Sequence, residues 1–384
     1  MKRTTFCDEG TRSKFTTCHS YSRSPSSPLP PVTATVRSIC ASSGFCRRVR
    51  DRVVSSAVNT GRFADADDRR GDAVLDEIPS RSSRGPTFER ILVDYRTLKP
   101  SQRAQLWVGG PDLAQPELLL ESTEVLFEAP NWSRDGEVLF LNGAGQLWRV
   151  DLRRPKAELA AMSFPDLPPI NNDHVLDPDG HHIYMSAMDG HIYRGALDGG
   201  DVERVTIDKG VWHFLHGVSP DGSRLAYVRL AELSDAGRLA VMRTCDTSIV
   251  LDTGSGHLDG PEWSPDGAWI YFNTESFTQT PGHAQLGRIP DGGGGMERVV
   301  ESSSVDWFPH LSPNRRFATY IAFPAGTTGH PPDLDVEVRV VATTDWSTTR
   351  QSYQLFGGQG TINVNSWCPD SSRFALVAYP MAAS

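Results

Sequence analysis

From about residue 88 onward, the chain alternates short apolar and polar runs at period two, and turn residues punctuate those runs at regular intervals. The clearest case is Gly260-Pro-Glu-Trp-Ser-Pro-Asp-Gly-Ala-Trp-Ile-Tyr-Phe-Asn-Thr274. Its Ser264-Pro-Asp-Gly267 segment places Pro where φ is fixed, Asp where a turn accepts it, and Gly where a left-handed residue closes it. With alternating flanks, this predicts a β-hairpin. The pattern recurs at Ser133-Arg-Asp-Gly136, Asp177-Pro-Asp-Gly180, Ser219-Pro-Asp-Gly222, Ser312-Pro-Asn-Arg315 and Cys368-Pro-Asp-Ser371. Counted at the third turn residue, the spacings are 44, 42, 45, 48 and 56. A period in the forties with a hairpin in each unit predicts propeller blades. Arg315 and Ser371 stand where Gly is expected, at about 1 kcal/mol each if the left-handed backbone is kept.

Each unit divides into four strands. In the fourth, strand A approaches through Glu262-Trp263, B is Trp269–Asn273, C is Gln285–Ile289 and D is Met296–Val300. The sixth unit stops after its second strand, Phe374–Tyr379. Ahead of the first turn lie two strands without partners, Gln105–Val108 and Glu117–Glu121, with the C and D pattern. Donating them to the last blade closes the ring and removes open edges. The predicted fold is all-β: a six-bladed β-propeller of four-stranded antiparallel blades, the last closed by N-terminal strands.

Composition adds a boundary. Residues 1–85 are rich in Ser, Thr, Arg and Pro without periodicity, and read as a low-complexity extension ahead of a propeller over 86–384. That stretch holds 15 Lys/Arg and 9 Asp/Glu, leaving 23 and 38 in the remainder, a net charge of −15. An acidic body without a basic groove argues against nucleic acid as a partner. No apolar run reaches membrane-spanning length, and no secretory apolar segment follows Met1, so the expectation is a cytoplasmic monomer. Cys7, Cys18, Cys40 and Cys46 have no His pairs at zinc-finger spacing, and Cys245 and Cys368 are isolated.

The repeated Trp-Ser-Pro-Asp-Gly followed by an aromatic strand resembles the TolB-type propeller, a WD40-like repeat. Asn171-Asn-Asp-His174, Gly260–Gly267 with Ile270–Asn273, Trp307–Pro313, Gly329-His-Pro331 and Phe356–Asn363 resemble a TolB-like group of uncertain function. The resemblance covers roughly residues 88–380. It implies the fold and leaves activity open, because propellers host many functions. TolB itself partners the Pal lipoprotein in the periplasm and carries a leading α/β domain for which this chain has no room, so that role is not carried over. A prolyl oligopeptidase reading lacks its Gly-x-Ser-x-Gly elbow.

Blade geometry puts the short A–B and C–D turns on one face and the long loops on the other: Ala231–Arg238, Glu275–Ala284, Phe323–Asp335 and Ala157–Asn172. Aligned on the turns, the approaches to the innermost strands carry His174, His216, Glu262 and His310, with Asn172, Asp173, His213 and Asn363 further out. Imidazoles from three blades plus a carboxylate form a ligand set for zinc, manganese or iron. Oligogalacturonate lyase, which has a similar propeller, places metal ligands in its funnel, and Gln359 looks like a counterpart by placement. That makes a metal-dependent lyase or hydrolase of acidic oligosaccharides one expectation. The other is a non-catalytic propeller binding a protein, peptide or glycan on the long-loop face, where His330 and Gln359 also fall. A wet channel equally needs polar side chains only to satisfy backbone groups and water.

Overall fold

The turn between the first two strands of each of the six units closes by the same backbone bond, from the N–H of its fourth residue to the carbonyl of its first, and four of the six add a serine side-chain bond. In the fourth blade the Ser264 hydroxyl donates to Asp266 Oδ1 (2.7 Å) and accepts the Trp269 N–H (3.0 Å), while Gly267 N–H donates to Ser264 O (2.8 Å) at φ 72°. Ser133 with Asp135, Ser219 with Asp221 and Ser312 with Asn314 repeat the pairing. The hydroxyl bond holds the Asp266 carboxyl below its usual range. Arg315 and Ser371 keep the left-handed backbone, at φ 60° and 63°.

The structure is a computed structural model that describes residues 95–254 and 256–382. The expected extension over 1–85 and its four cysteines lie outside the described residues. Every element among the described residues is a strand. β1 (Ala104–Gly109) and β2 (Glu117–Ser122) come first. The first blade follows as β3 (Phe127–Trp132), β4 (Val138–Gly143), β5 (Gln146–Asp151) and β6 (Leu159–Ala161). The second is β7 (Ile170–Leu176), β8 (His182–Ala187), β9 (Ile192–Ala196) and β10 (Val202–Arg204). The third is β11 (Trp212–Val218), β12 (Arg224–Leu230), β13 (Arg238–Arg243) and β14 (Ile249–Asp252). The fourth is β15 (Leu258–Trp263), β16 (Trp269–Thr274), β17 (Gln285–Pro290) and β18 (Glu297–Arg298). The fifth is β19 (Val305–Leu311), β20 (Phe317–Phe323), β21 (Pro332–Ala342) and β22 (Asp345–Gly358).

The sixth blade is the shared one. β23 (Phe374–Ala378) pairs with β1 from Gln105↔Ala378 to Gly109↔Phe374, and β1 pairs with β2. Its innermost strand is reduced to the bridge Trp367↔Phe374. The ring is therefore six antiparallel blades closed as expected. One element is shorter than the sequence suggests: β18 keeps two residues because the Val299 and Val300 amides both turn to Leu286 O (2.9 and 3.4 Å), which ends the ladder.

The core lies between blades. Leu106 and Val377 of the sixth blade pack with Phe127, Leu139 and Leu141 of the first, and Trp263 and Phe272 of the fourth pack with Leu239 and Val241 of the third. Burying each such side chain contributes about 1.5–3 kcal/mol. Trp132, Trp367, Tyr184, Tyr227 and Tyr271 are likewise buried, as inter-blade core.

Five innermost strands carry a bulge. Their registers slip between Glu128 and Asn131, Ile170 and His174, Leu215 and Gly217, Asp259 and Glu262, and Trp307 and His310. Three bulges pass through a left-handed residue: Ala129 (φ 52°), Gly260 (φ 60°) and Phe308 (φ 55°). A bulge re-aims the side chains on either side of it. Here that splits the inner face into two levels.

Candidate functional site

The outer level is a cavity of about 420 Å³ on the long-loop face. One wall is apolar, built from Met188, Trp212, Phe214, Val228, Leu230 and Leu233. Trp212 and Phe214 project from the same face of β11 and stack at 6.1 Å with 4° between planes. The remaining lining adds the apolar Ile170 and Phe308 and is otherwise polar, from Tyr95, Arg96, Glu128, Asn142, Asn171, Asn172, Asp173, His216, Asp235, His257, Asp259, His330, Gln359 and Asn363. The loop 231–238 supplies Leu233, Asp235 and Gly237, and the loop 323–335 supplies His330.

At the floor, His216 stands between two carboxylates. Its Nε2 lies 3.1 Å from Asp259 Oδ1 and 3.7 Å from Asp173 Oδ1, and its Nδ1 lies 3.2 Å from Asn363 O. A carbonyl only accepts, so Nδ1 carries a proton, and Nε2 donates to Asp259 while Asp173 acts on the ring through its charge. Burial would push the ring's pKa down, but Asp173 and Asp259 hold it up at about 9. Burial raises Asp173 to about 6 against the pull of His216, whereas His216 overcomes burial at Asp259 and holds it at about 2. His330 Nε2 lies 3.7 Å from Asp259 Oδ2, and its ring packs on Trp307 at 4.5 Å and Phe308 at 5.2 Å. Burial pushes His330 down, which favours its neutral ring.

The rim on the opposite side is pinned by Arg96. Its Nη1 donates to Glu128 Oε1 and to Gln359 O, both at 2.6 Å, its Nη2 reaches Asp333 Oδ1 at 3.5 Å, and the guanidinium lies 4.6 Å above the Tyr379 ring. Burial pushes the Glu128 carboxyl up despite Arg96. Asn142 Nδ2 donates to Glu128 Oε2 (3.2 Å), leaving Asn142 Oδ1 buried without a partner.

The inner level lies outside the cavity lining. Asn131 Nδ2 donates to Asn365 O (2.8 Å), so its Oδ1 accepts from His174 Nδ1 (3.0 Å). Asn365 Nδ2 donates to Glu262 Oε1 (2.5 Å) and Leu311 O (3.0 Å), and Glu262 Oε2 meets His310 Nδ1. His310 Nε2 donates to Ile362 O (2.6 Å). His174 Nε2 has no partner, and burial pushes this ring down to about 3, so it stays neutral.

Of the residues singled out in the sequence, Asn172, Asp173, His216, His330, Gln359 and Asn363 line the cavity. His213 does not: it is buried, donates from Nδ1 to Gly190 O (2.6 Å), and packs on Tyr227 at 5.2 Å. The four expected metal ligands separate. His216 belongs to the cavity floor, His310 and Glu262 form their own pair, and His174 belongs with Asn131. Both ring nitrogens of His216 and His310 face oxygens, so neither offers a lone pair to a metal as arranged. Among the described residues no group of three or more His, Cys, Asp or Glu is placed to hold one.

Sequence reasoning missed Asp259, Glu128, Phe214 and Arg96. The first three share a signal. Counted back from each turn, the fifth residue is Glu128, Asn172, Phe214, Asp259, Trp307 and Asn363, and all but Trp307 line the cavity. Arg96 carries no such signal, because its partners are distant in sequence.

A closed ring of six blades with a charged cavity on its long-loop face is a β-propeller architecture, and the comparisons agree on the fold. No family model matches the chain. An uncharacterized protein of Agrobacterium fabrum is 37% identical over 263 residues, covering 67% of this chain and 86% of that protein. A solved structure from Agrobacterium tumefaciens, provisionally named TolB, is 32% identical with a TM-score of 0.66, covering 73% of this chain and 99% of the other. The chain belongs to the TolB-like β-propeller family. An oligogalacturonate lyase from Vibrio parahaemolyticus is 11% identical, with a TM-score of 0.44 over 70% of this chain and 76% of that one, a likeness too distant to speak for activity.

Proposed function

We propose that the protein is a non-catalytic binding module whose ligand, a small molecule or an exposed piece of a protein, peptide or glycan, enters the long-loop face of the ring. The observation that supports this reading is the cavity of about 420 Å³, which combines an apolar wall with a few converging polar groups. Ligand sites of soluble proteins have this composition, with apolar area supplying affinity and few polar groups supplying orientation. The rigid strands hold Asp173, His216 and Asp259 in place, and the loops bring Leu233 and His330 to the rim.

The test is a thermal-shift screen of small molecules, short peptides and oligosaccharides against the full chain and a Leu233→Trp variant. Leu233 is exposed at the rim, so the larger ring narrows the opening without entering the core. Ligands that stabilise the unmodified protein should lose roughly tenfold or more in affinity in the variant. Ligands that bind both proteins equally would place the binding site elsewhere and overturn this reading.

A further inference from the structure

We propose that the cavity takes a primary ammonium group carried on an apolar or aromatic body, with Asp173 and Asp259 receiving the charge and Trp212 and Phe214 receiving the body. This rests on reading the cavity as the ligand site. Two independent observations point to the ammonium.

The first is the charge count. Four carboxylates line the cavity, from Glu128, Asp173, Asp235 and Asp259, against the cations Arg96 and His216 and two further imidazoles, His257 and His330. Neither cation is free to meet an anion. Arg96 is shared between Glu128 and Asp333, and His216 between Asp173 and Asp259. An incoming carboxylate or phosphate would therefore face an excess of negative charge, and an incoming cation would relieve it.

The second is the set of unsatisfied atoms. Two lining side chains hold buried polar atoms without partners, Asn142 Oδ1 and His330 Nδ1. Both are acceptors. The Asn142 amide nitrogen is committed to Glu128, which fixes its oxygen as the unused end, and that residue is only 3% exposed. His330 Nε2 faces Asp259 Oδ2 at 3.7 Å, and a proton on that nitrogen leaves Nδ1 as a lone pair. The lining has no matching buried donor left over. A head group made only of donors suits it, and an ammonium has three donors and no acceptor. The aromatic pair on β11 can cover an apolar body and adds attraction between ring faces and the cation.

Isothermal titration of the full chain near neutral pH can test this with three probes of one shape: 2-phenylethylamine, 2-phenylethanol and 3-phenylpropanoate. The amine should bind about tenfold or more tighter than either of the others, because charge-assisted hydrogen bonds are the stronger ones. Asp173→Asn should weaken the amine by about tenfold. Asp235→Asn, at an exposed rim position where folding is not at stake, should weaken it by about twofold. Equal or tighter binding of the alcohol or the carboxylate would overturn the ammonium assignment while leaving the cavity a ligand site. Amine binding that ignores both Asp variants would overturn it as well. Silence from all three probes would also overturn it, and the Leu233→Trp screen would then decide the cavity separately.

Discussion

Replacing Asp259 with Asn isolates the electrostatics of the cavity floor. His216 titrates at about 9 rather than near its ordinary 6.5 because two carboxylates face it. For a group whose folded pKa is raised, the stabilising contribution is fully present below the unfolded value and is lost as pH rises through the folded one. The window therefore runs from about 6.5 to about 9. By linkage the whole shift is worth about 3 kcal/mol at the acidic end of that window. The depressed Asp259 describes the same interaction from the other partner and is counted once. Asp173 remains in the variant, so Asp259→Asn should cost about 2 kcal/mol at about pH 7 and less than about 1 kcal/mol at about pH 9.5, where the ring is mostly neutral in either protein. Urea unfolding followed by tryptophan fluorescence at the two pH values gives both numbers. The upper pH stays below 10 because Tyr184 and Tyr227, raised to about 12 by burial, would add their own loss above the ordinary tyrosine value of 10. A penalty that is the same at both pH values, or larger at the alkaline one, would refute the assignment of His216 as the floor's cation.

Three further outcomes follow from particular contacts. Glu262→Gln should lower stability by about 3 kcal/mol, because it strips the buried His310 of its carboxylate, yet leave any cavity ligand's affinity unchanged; calorimetry and titration on one sample separate the two. Leu106→Ala, at a fully buried position between the last and first blades, should cost about 2–5 kcal/mol in urea unfolding. Arg315→Gly should raise the melting temperature slightly, since it relieves a left-handed residue worth about 1 kcal/mol while giving up an exposed ion pair to Asp266 worth less.

The blades were legible because their turns are chemically self-contained. Ser264 bonds Asp266 two residues away, so the residue types needed at the turn are written side by side, and their repeat spacing reveals the ring. The closing strands β1 and β23 were legible for a related reason, as two halves of one pattern at opposite ends. The cavity was only half legible. Counting back from a turn assumes that side chains alternate along the innermost strand. The bulges break that rule, so neighbouring residues such as Asn172 and Asp173 both line the cavity, and Asp259 lies at a different level from Glu262. His213 was misplaced by the same count, because its ring faces Gly190 and Tyr227 of its surroundings rather than the channel. The bond from Arg96 to Glu128 and the contact of Arg96 with Tyr379 depend on ring closure, and nothing local announces them.

The pairing of β1 with β23 also sets a clock on synthesis. A ribosome delivers β1 and β2 long before β23, so through the whole production of five blades β1 has one side without its permanent neighbour. Each of those five blades can complete its own ladder from residues already made, with contacts close in sequence, whereas the last seam must wait for a contact between strands at opposite ends of the ring. Such late, long-range pairing is the slow kind, and the waiting species exposes an unpaired strand side. Once sealed, the same seam works in reverse: parting the ring there requires Leu106 and Val377 to leave the core together, so the slowest step to assemble becomes a latch against opening.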